Sequence, residues 1–123
     1  MGKIGLNSAG IGACLNFLKS PLGWVGVPMH VMMRGILNSE QMGDAIRKIV
    51  GQDRGSSSNY LIAHRDGAAL DFETAPKQWD FIYPEKGVIV HTNHFNSERL
   101  RPIDTNVSLF PDSLVRFGRA RQK

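Results

Sequence analysis

The sequence predicts an α+β fold with an antiparallel sheet, and three observations carry that reading. Short apolar segments come in pairs around turn residues, at 4–17, 60–73 and 79–92. Helical periodicity is confined to two blocks, 29–50 and 114–122. Because strands cluster as hairpins and do not alternate singly with helices, a doubly wound parallel sheet is disfavoured.

Taken in order, residues 4–7 and 11–17 read as two strands around the turn Ser8-Ala9-Gly10. Residues 19–28 hold two prolines and two glycines around Trp24, which predicts a loop, and Pro28 suits the first turn of a helix over 29–37. Asn38-Ser39 offers a cap for a second helix over 40–50, acidic early, basic at Arg47 and Lys48, with Met42, Ala45, Ile46 and Ile49 on one face. Residues 51–57 form a polar loop. Period two then returns at 60–63 and 69–73 around Arg65-Asp66-Gly67, and again at 79–83 and 87–92 around Pro84-Glu85-Lys86. Residues 96–110 are irregular, and Pro111-Asp112-Ser113 starts a helix over 114–122 that Gly118 weakens.

With 123 residues, 41% hydrophobic and 21% charged, the chain is expected to be a single domain without low-complexity tracts. Its apolar stretches are broken well short of the ~20 residues of a membrane span. The first residues lack the apolar region of a secretory signal, so a cytoplasmic location is expected. One cysteine, Cys14, permits neither an internal disulfide nor a cysteine-rich zinc site. The net charge of +4 concentrates near the C-terminus, where Arg99, Arg101, Arg116, Arg119, Arg121 and Lys123 face Glu98, Asp104 and Asp112. No aromatic interleaving accompanies them, so a solvated helix face is expected and a nucleic-acid partner is not.

Chemistry concentrates in "VHTNHF", residues 90–95. His91 and His94 lack a nearby third ligand, so no metal site is expected. His91 then reads as a hydrogen-bonded core residue and His94 as a solvent-facing one. Asn93 is a neutral carboxamide donor at an expected strand end, a type of group that stabilises a developing oxyanion without titrating. Cys14, mid-strand, reads as a small buried hydrophobe, and Ser56-Ser57-Ser58 lacks Gly-x-Ser-x-Gly spacing. Asp71 and Glu73 share one strand face, where acid–base work is conceivable and solvent exposure is expected.

Five stretches in order, "GKIGLNSAGIGACLN", "GVPMHVMMRGIL", "SSSNYLIAHRDGAALDFE", "GVIVHTNHF" and "PDSLVRFGRAR", resemble the acyl-coenzyme A:6-aminopenicillanic acid acyltransferase family. These are the C45 peptidase group of self-processing N-terminal nucleophile hydrolases, and the resemblance runs from Gly2 to the end of the chain. It implies a four-layer αββα sandwich of antiparallel sheets, of which residues 1–123 form the middle portion of one domain. It implies acyl transfer or amide hydrolysis by an N-terminal cysteine exposed by autocatalytic cleavage, with its own α-amine as base.

By position, Asn93 matches the family's oxyanion-hole asparagine. Asn16, Asn7 and His91 are the expected substrate-side residues, with Asn7 and Gly10 also shaping the first turn. No bound cofactor is implied; acyl-coenzyme A enters as a substrate. The nucleophile, with its following acid, and the catalytic arginine fall upstream and downstream of the matched stretch. The chain alone is therefore expected to be inactive and to pair with those missing parts and a small-molecule acyl donor and acceptor. The alternative is a noncatalytic binding or interaction protein that retains part of the fold.

Overall fold

The computed structural model describes residues 3–122. Gly2, where the family resemblance starts, and Lys123, counted in the basic excess, lie outside them. Five strands form one antiparallel sheet in sequence order: β1 (Ile4–Leu6), β2 (Ile11–Phe17), β3 (Ser58–His64), β4 (Ala69–Ala75) and β5 (Gln78–Ile82). Helices α1 (Met29–Leu37) and α2 (Met42–Val50) interrupt the meander between β2 and β3. A 3-10 turn (Arg101–Ile103), α3 (Asn106–Leu109) and α4 (Asp112–Arg121) follow the sheet.

The first turn is built as its residues require. Gly10 takes φ +93°, a left-handed conformation in which an added Cβ would also run into Arg65. Asn7 closes the turn by accepting the Ile11 N–H on its Oδ1 at 2.9 Å, while its Nδ2 donates to the carbonyls of Leu37 and Ser39. Ser39 does not cap α2: its hydroxyl donates back to the Gly35 carbonyl, which finishes α1, and α2 starts later, after Gln41.

Strand alternation gives the sheet two chemically different faces. Ile11, Ala13, Tyr60, Ile62 and Phe72 point toward the helices and pack with Met32, Met33 and Ile36 of α1 and Ala45 and Ile49 of α2. The opposite face carries Cys14, Asn16, Asn59, Asp71 and Glu73, and it is only half covered. Over β4, the irregular chain after β5 packs Phe95 and Leu100 against Leu18 and Ala75. Over β1 and β2, Ile4, Leu6 and Cys14 stay exposed.

Several expectations are corrected here. No strand forms over 87–92: a two-residue turn at Lys86-Gly87, both with positive φ, closes a single Glu85–Val88 bridge, and the chain then turns across the sheet instead of extending it. Cys14 is exposed and not buried, because it lies on the open face. Asp71 and Glu73 are fully buried and not solvated, because the segment after β5 folds over them, and His94 is buried as well. The arginines of α4 are exposed, as a solvated helix face requires. Among the described residues no helix is long and apolar enough to cross a membrane.

Arg54, assigned from sequence to a polar loop, is a buried cross-tie. Its guanidinium donates to the carbonyls of Ile49, Gln52, Ala75 and Gln78, joining the end of α2 to the β4–β5 turn. The planar fork reaches acceptors in separate segments, which the point charge of lysine cannot do. Both Arg54→Ala and Arg54→Lys are expected to lower the unfolding free energy by about 2–4 kcal/mol in chemical denaturation, because several buried carbonyls lose their donors. Full rescue by lysine would contradict this role.

Candidate active site

The polar side chains on the half-covered face converge under the segment that follows β5. Glu73, fully buried on β4, accepts three hydrogen bonds: from His91 Nε2 at 2.7 Å, from the Asn96 N–H at 2.6 Å and from the Ser97 N–H at 2.9 Å. A buried carboxylate requires such partners, because burying an unpaired charge is prohibitive. The other ring nitrogen of His91 faces the Thr92 carbonyl at 2.8 Å. With an acceptor at each nitrogen, the ring carries two N–H groups, so His91 is the cation of a buried ion pair. Burial alone pulls its pKa down. The hydrogen bond to Glu73, and the charges of Asp71 and Glu73, outweigh that and hold it above the ordinary histidine value.

Asp71 lies two residues earlier on the same face. Its Oδ1 accepts from the Asn59 carboxamide, and its buried Oδ2 has no partner among the described residues. Burial pushes this carboxyl up to about 6, against the opposing pull of His91 and Asn59.

A second cluster holds Asn93 in place. Its backbone N–H donates to Ser113 Oγ at 2.8 Å, and the Thr92 hydroxyl donates to the Ser113 carbonyl at 3.1 Å, so the start of α4 is docked on residues 92 and 93. His94 Nδ1 lies 2.8 Å from Ser113 Oγ, and its ring meets Phe117 edge-on with centroids 5.3 Å apart. Burial, then the nearby His91 cation, lowers the His94 pKa, so His94 stays neutral beside His91. The Asn93 side chain donates one N–H to the Phe17 carbonyl at 3.0 Å and accepts from Arg116 Nη2 at 3.1 Å on Oδ1. Its second carboxamide N–H has no acceptor among the described residues.

Of the residues singled out from sequence, Asn16, His91 and Asn93 come together at the C-terminal end of β2. Asn16 Nδ2 donates to the His91 carbonyl at 3.2 Å, one residue before Asn93 meets Phe17. Asn7 does not join them: it sits in the turn that precedes β2, with its carboxamide committed to that turn and to the end of α1. Among the described residues no group of three or more His, Cys, Asp or Glu could hold a metal ion. The supports of the site were not recognised as such from sequence: Glu73 reads there as a solvated member of a carboxylate pair, Ser113 as a helix start and Arg116 as part of a solvated face, and no local signal links any of them to Asn93.

Glu73→Gln leaves His91 buried without a counter-charge and is expected to destabilise the fold by about 3–5 kcal/mol in denaturant titrations, whereas an exposed pair such as Arg116–Asp112 contributes under 1 kcal/mol. Folding raises the Asp71 pKa above its unfolded value, so its stabilising neutral form is fully present below about pH 4 and that contribution is lost as pH rises through about 6. Thermal melts of Asp71→Asn against the parent protein are expected to show a relative gain that grows from pH 4 to pH 7, reaching up to about 3 kcal/mol. A pH-independent difference would show that Asp71 does not titrate in this range.

Comparison with known proteins identifies the family. Residues 1–123 match the family model described as acyl-coenzyme A:6-aminopenicillanic acid acyl-transferase. A curated relative, the acyl-coenzyme A:6-aminopenicillanic-acid-acyltransferase 40 kDa form of Emericella nidulans, is 32% identical over 130 residues, covering 97% of this chain and 34% of its own length. The chain thus spans about a third of that relative. Matched along its whole length, it belongs to the acyl-coenzyme A:6-aminopenicillanic acid acyl-transferase family.

Proposed function

We propose that these 123 residues form the oxyanion-stabilising part of a cysteine N-terminal nucleophile acyltransferase or amidohydrolase, acting on acyl-coenzyme A thioesters or linear amide C–N bonds. The observation that carries this reading is the uncommitted carboxamide N–H of Asn93, on a side chain held at both ends by Phe17 and Arg116. A donor fixed before the reaction costs no reorganisation when negative charge develops on the substrate carbonyl oxygen. Arg116 strengthens it by drawing electron density toward Oδ1. Asn16 and His91 support the pocket through the backbone next to Asn93. Asn7 acts at a distance, through the turn that starts β2.

In this reading the thiolate comes from an N-terminal cysteine freed by self-processing in the longer protein, and its α-amine takes the thiol proton. Attack on the thioester carbonyl builds the tetrahedral oxyanion, and collapse releases the coenzyme thiolate, which recovers that proton. The acyl group then passes to an amine or to water. The open apolar half of the sheet, with Ile4 and Leu6 exposed, supports packing against a second sheet in an αββα sandwich. A cytoplasmic site of action fits the unpaired Cys14. A noncatalytic binding role is favoured by one observation, that both ends of the Asn93 carboxamide already hold protein partners.

Kinetics on the product of the natural gene separate the two readings. Asn93→Ala is expected to lower kcat about 10²–10³-fold with a small change in KM, as loss of an oxyanion donor does. The 123-residue chain alone is expected to show no turnover. Unchanged turnover in Asn93→Ala would remove Asn93 from the catalytic machinery and favour a noncatalytic role for this segment.

A further inference from the structure

Beyond the β5 end of the sheet, a groove of about 480 Å³ opens between residues 82–90 and the second half of α4. Lys86, Arg101 and Arg121 converge on it from three separate segments, with Glu85 as the opposing acid, while Tyr83 and Phe117 give it an aromatic lining. We propose that this groove binds the phosphorylated adenosine end of coenzyme A, the handle of the acyl donor; the assignment rests on the acyl-coenzyme A reading above.

Each part suits that ligand. Two cations in excess fit phosphate groups, and arginine forks match phosphate oxygens in a bidentate manner. Arg101 is already tethered at the wall by donating to the Asn96 carbonyl at 2.7 Å. Asn96, whose buried Nδ2 has no acceptor among the described residues, also stands in the lining. Tyr83 is largely exposed, yet Phe81 braces it edge-on at 5.3 Å, which leaves a positioned ring for a purine to stack on. Lys86 adopts φ 52°, uncommon for a lysine, in a turn closed by reciprocal Glu85–Val88 hydrogen bonds of 2.9 and 3.0 Å.

Arg121 pairs across the groove with Glu85 at 2.6 Å, between exposed side chains. Such surface pairs are weak, so a phosphate dianion can displace the carboxylate. The groove shares α4 with the Asn93 anchors Ser113 and Arg116. Phe117 and Arg121 stand about 1.5 and 7.5 Å further along the helix axis than Arg116, so the pantetheine arm can run along α4 toward Asn93.

The test is calorimetric titration of adenosine 3′,5′-bisphosphate and of coenzyme A into the product of the natural gene at low salt. Both ligands are expected to bind, with unphosphorylated adenosine and inorganic phosphate at least tenfold weaker. Arg121→Ala and Lys86→Ala should each weaken the nucleotide about tenfold, and Glu85→Gln, which frees Arg121, should tighten it severalfold. Absence of binding, or binding that none of the three substitutions alters, overturns the proposal. The two readings fail separately. Asn93-dependent turnover of an acyl-coenzyme A without groove dependence would sink the groove alone. Groove-dependent nucleotide binding without Asn93-dependent turnover would sink the catalytic reading alone.

Discussion

A single buried carboxylate organises the polar half of this protein. Glu73 sits at the centre of β4 with no exposed surface, and its charge is sustained by the His91 imidazolium and two backbone N–H groups from residues 96 and 97. Because these donors come from a segment without regular structure, the carboxylate does for 91–97 what a strand ladder would otherwise do. It gives an irregular chain one position on the sheet. Residues 92 and 93 are then held from the other side by Ser113, so Asn93 lies between a fixed sheet and a fixed helix.

The neighbouring groups divide their protonation states by environment. Two histidines three residues apart are driven in opposite directions, His91 toward the cation by its carboxylate and His94 toward the neutral ring by burial and by His91 itself. Asp71 and Glu73 are likewise distinguished by partners: Glu73 has three donors, Asp71 has Asn59 and a bare oxygen. One ion pair, one neutral imidazole and one carboxyl that resists ionisation can coexist within a few residues only because each has its own hydrogen-bond set.

The two sheet faces differ in what they ask of the rest of the molecule. Toward α1 and α2 the packing is complete, with large side chains such as Met33, Ile36, Tyr60 and Ile62 almost wholly out of water, and Arg54 ties the helical layer to the β4–β5 turn. On the opposite face the polar cluster and the Phe95–Leu100 contact cover β4, while Ile4, Leu6 and Cys14 remain open. An open apolar half beside a finished polar half is the arrangement expected of a layer that meets another layer. The span of about a third of the relative's length is consistent with that.

How much was legible in the sequence follows from the range of the forces involved. Period-two and period-3.6 patterns, Pro28 before α1 and Gly10 in its left-handed turn are local, so the five strands, α1 and most of α2 and α4 could be read from the chain alone. The family was legible through the resemblance of five ordered stretches. The expected strand over 87–92 was misread because Val88-Ile89-Val90 is locally suited to a strand, yet three long-range hydrogen bonds to Glu73 draw the following residues across the sheet. Asp71 and Glu73 alternate as a solvated pair does, and nothing near them in sequence indicates that residues 18–24 positions later will close over them. Whether a carboxylate is solvated or buried, and which face of a strand carries the site, depends on partners distant along the chain. Local patterning therefore determined the elements, the five ordered stretches carried the family resemblance, and only tertiary contacts decided which polar residues came together in the candidate site.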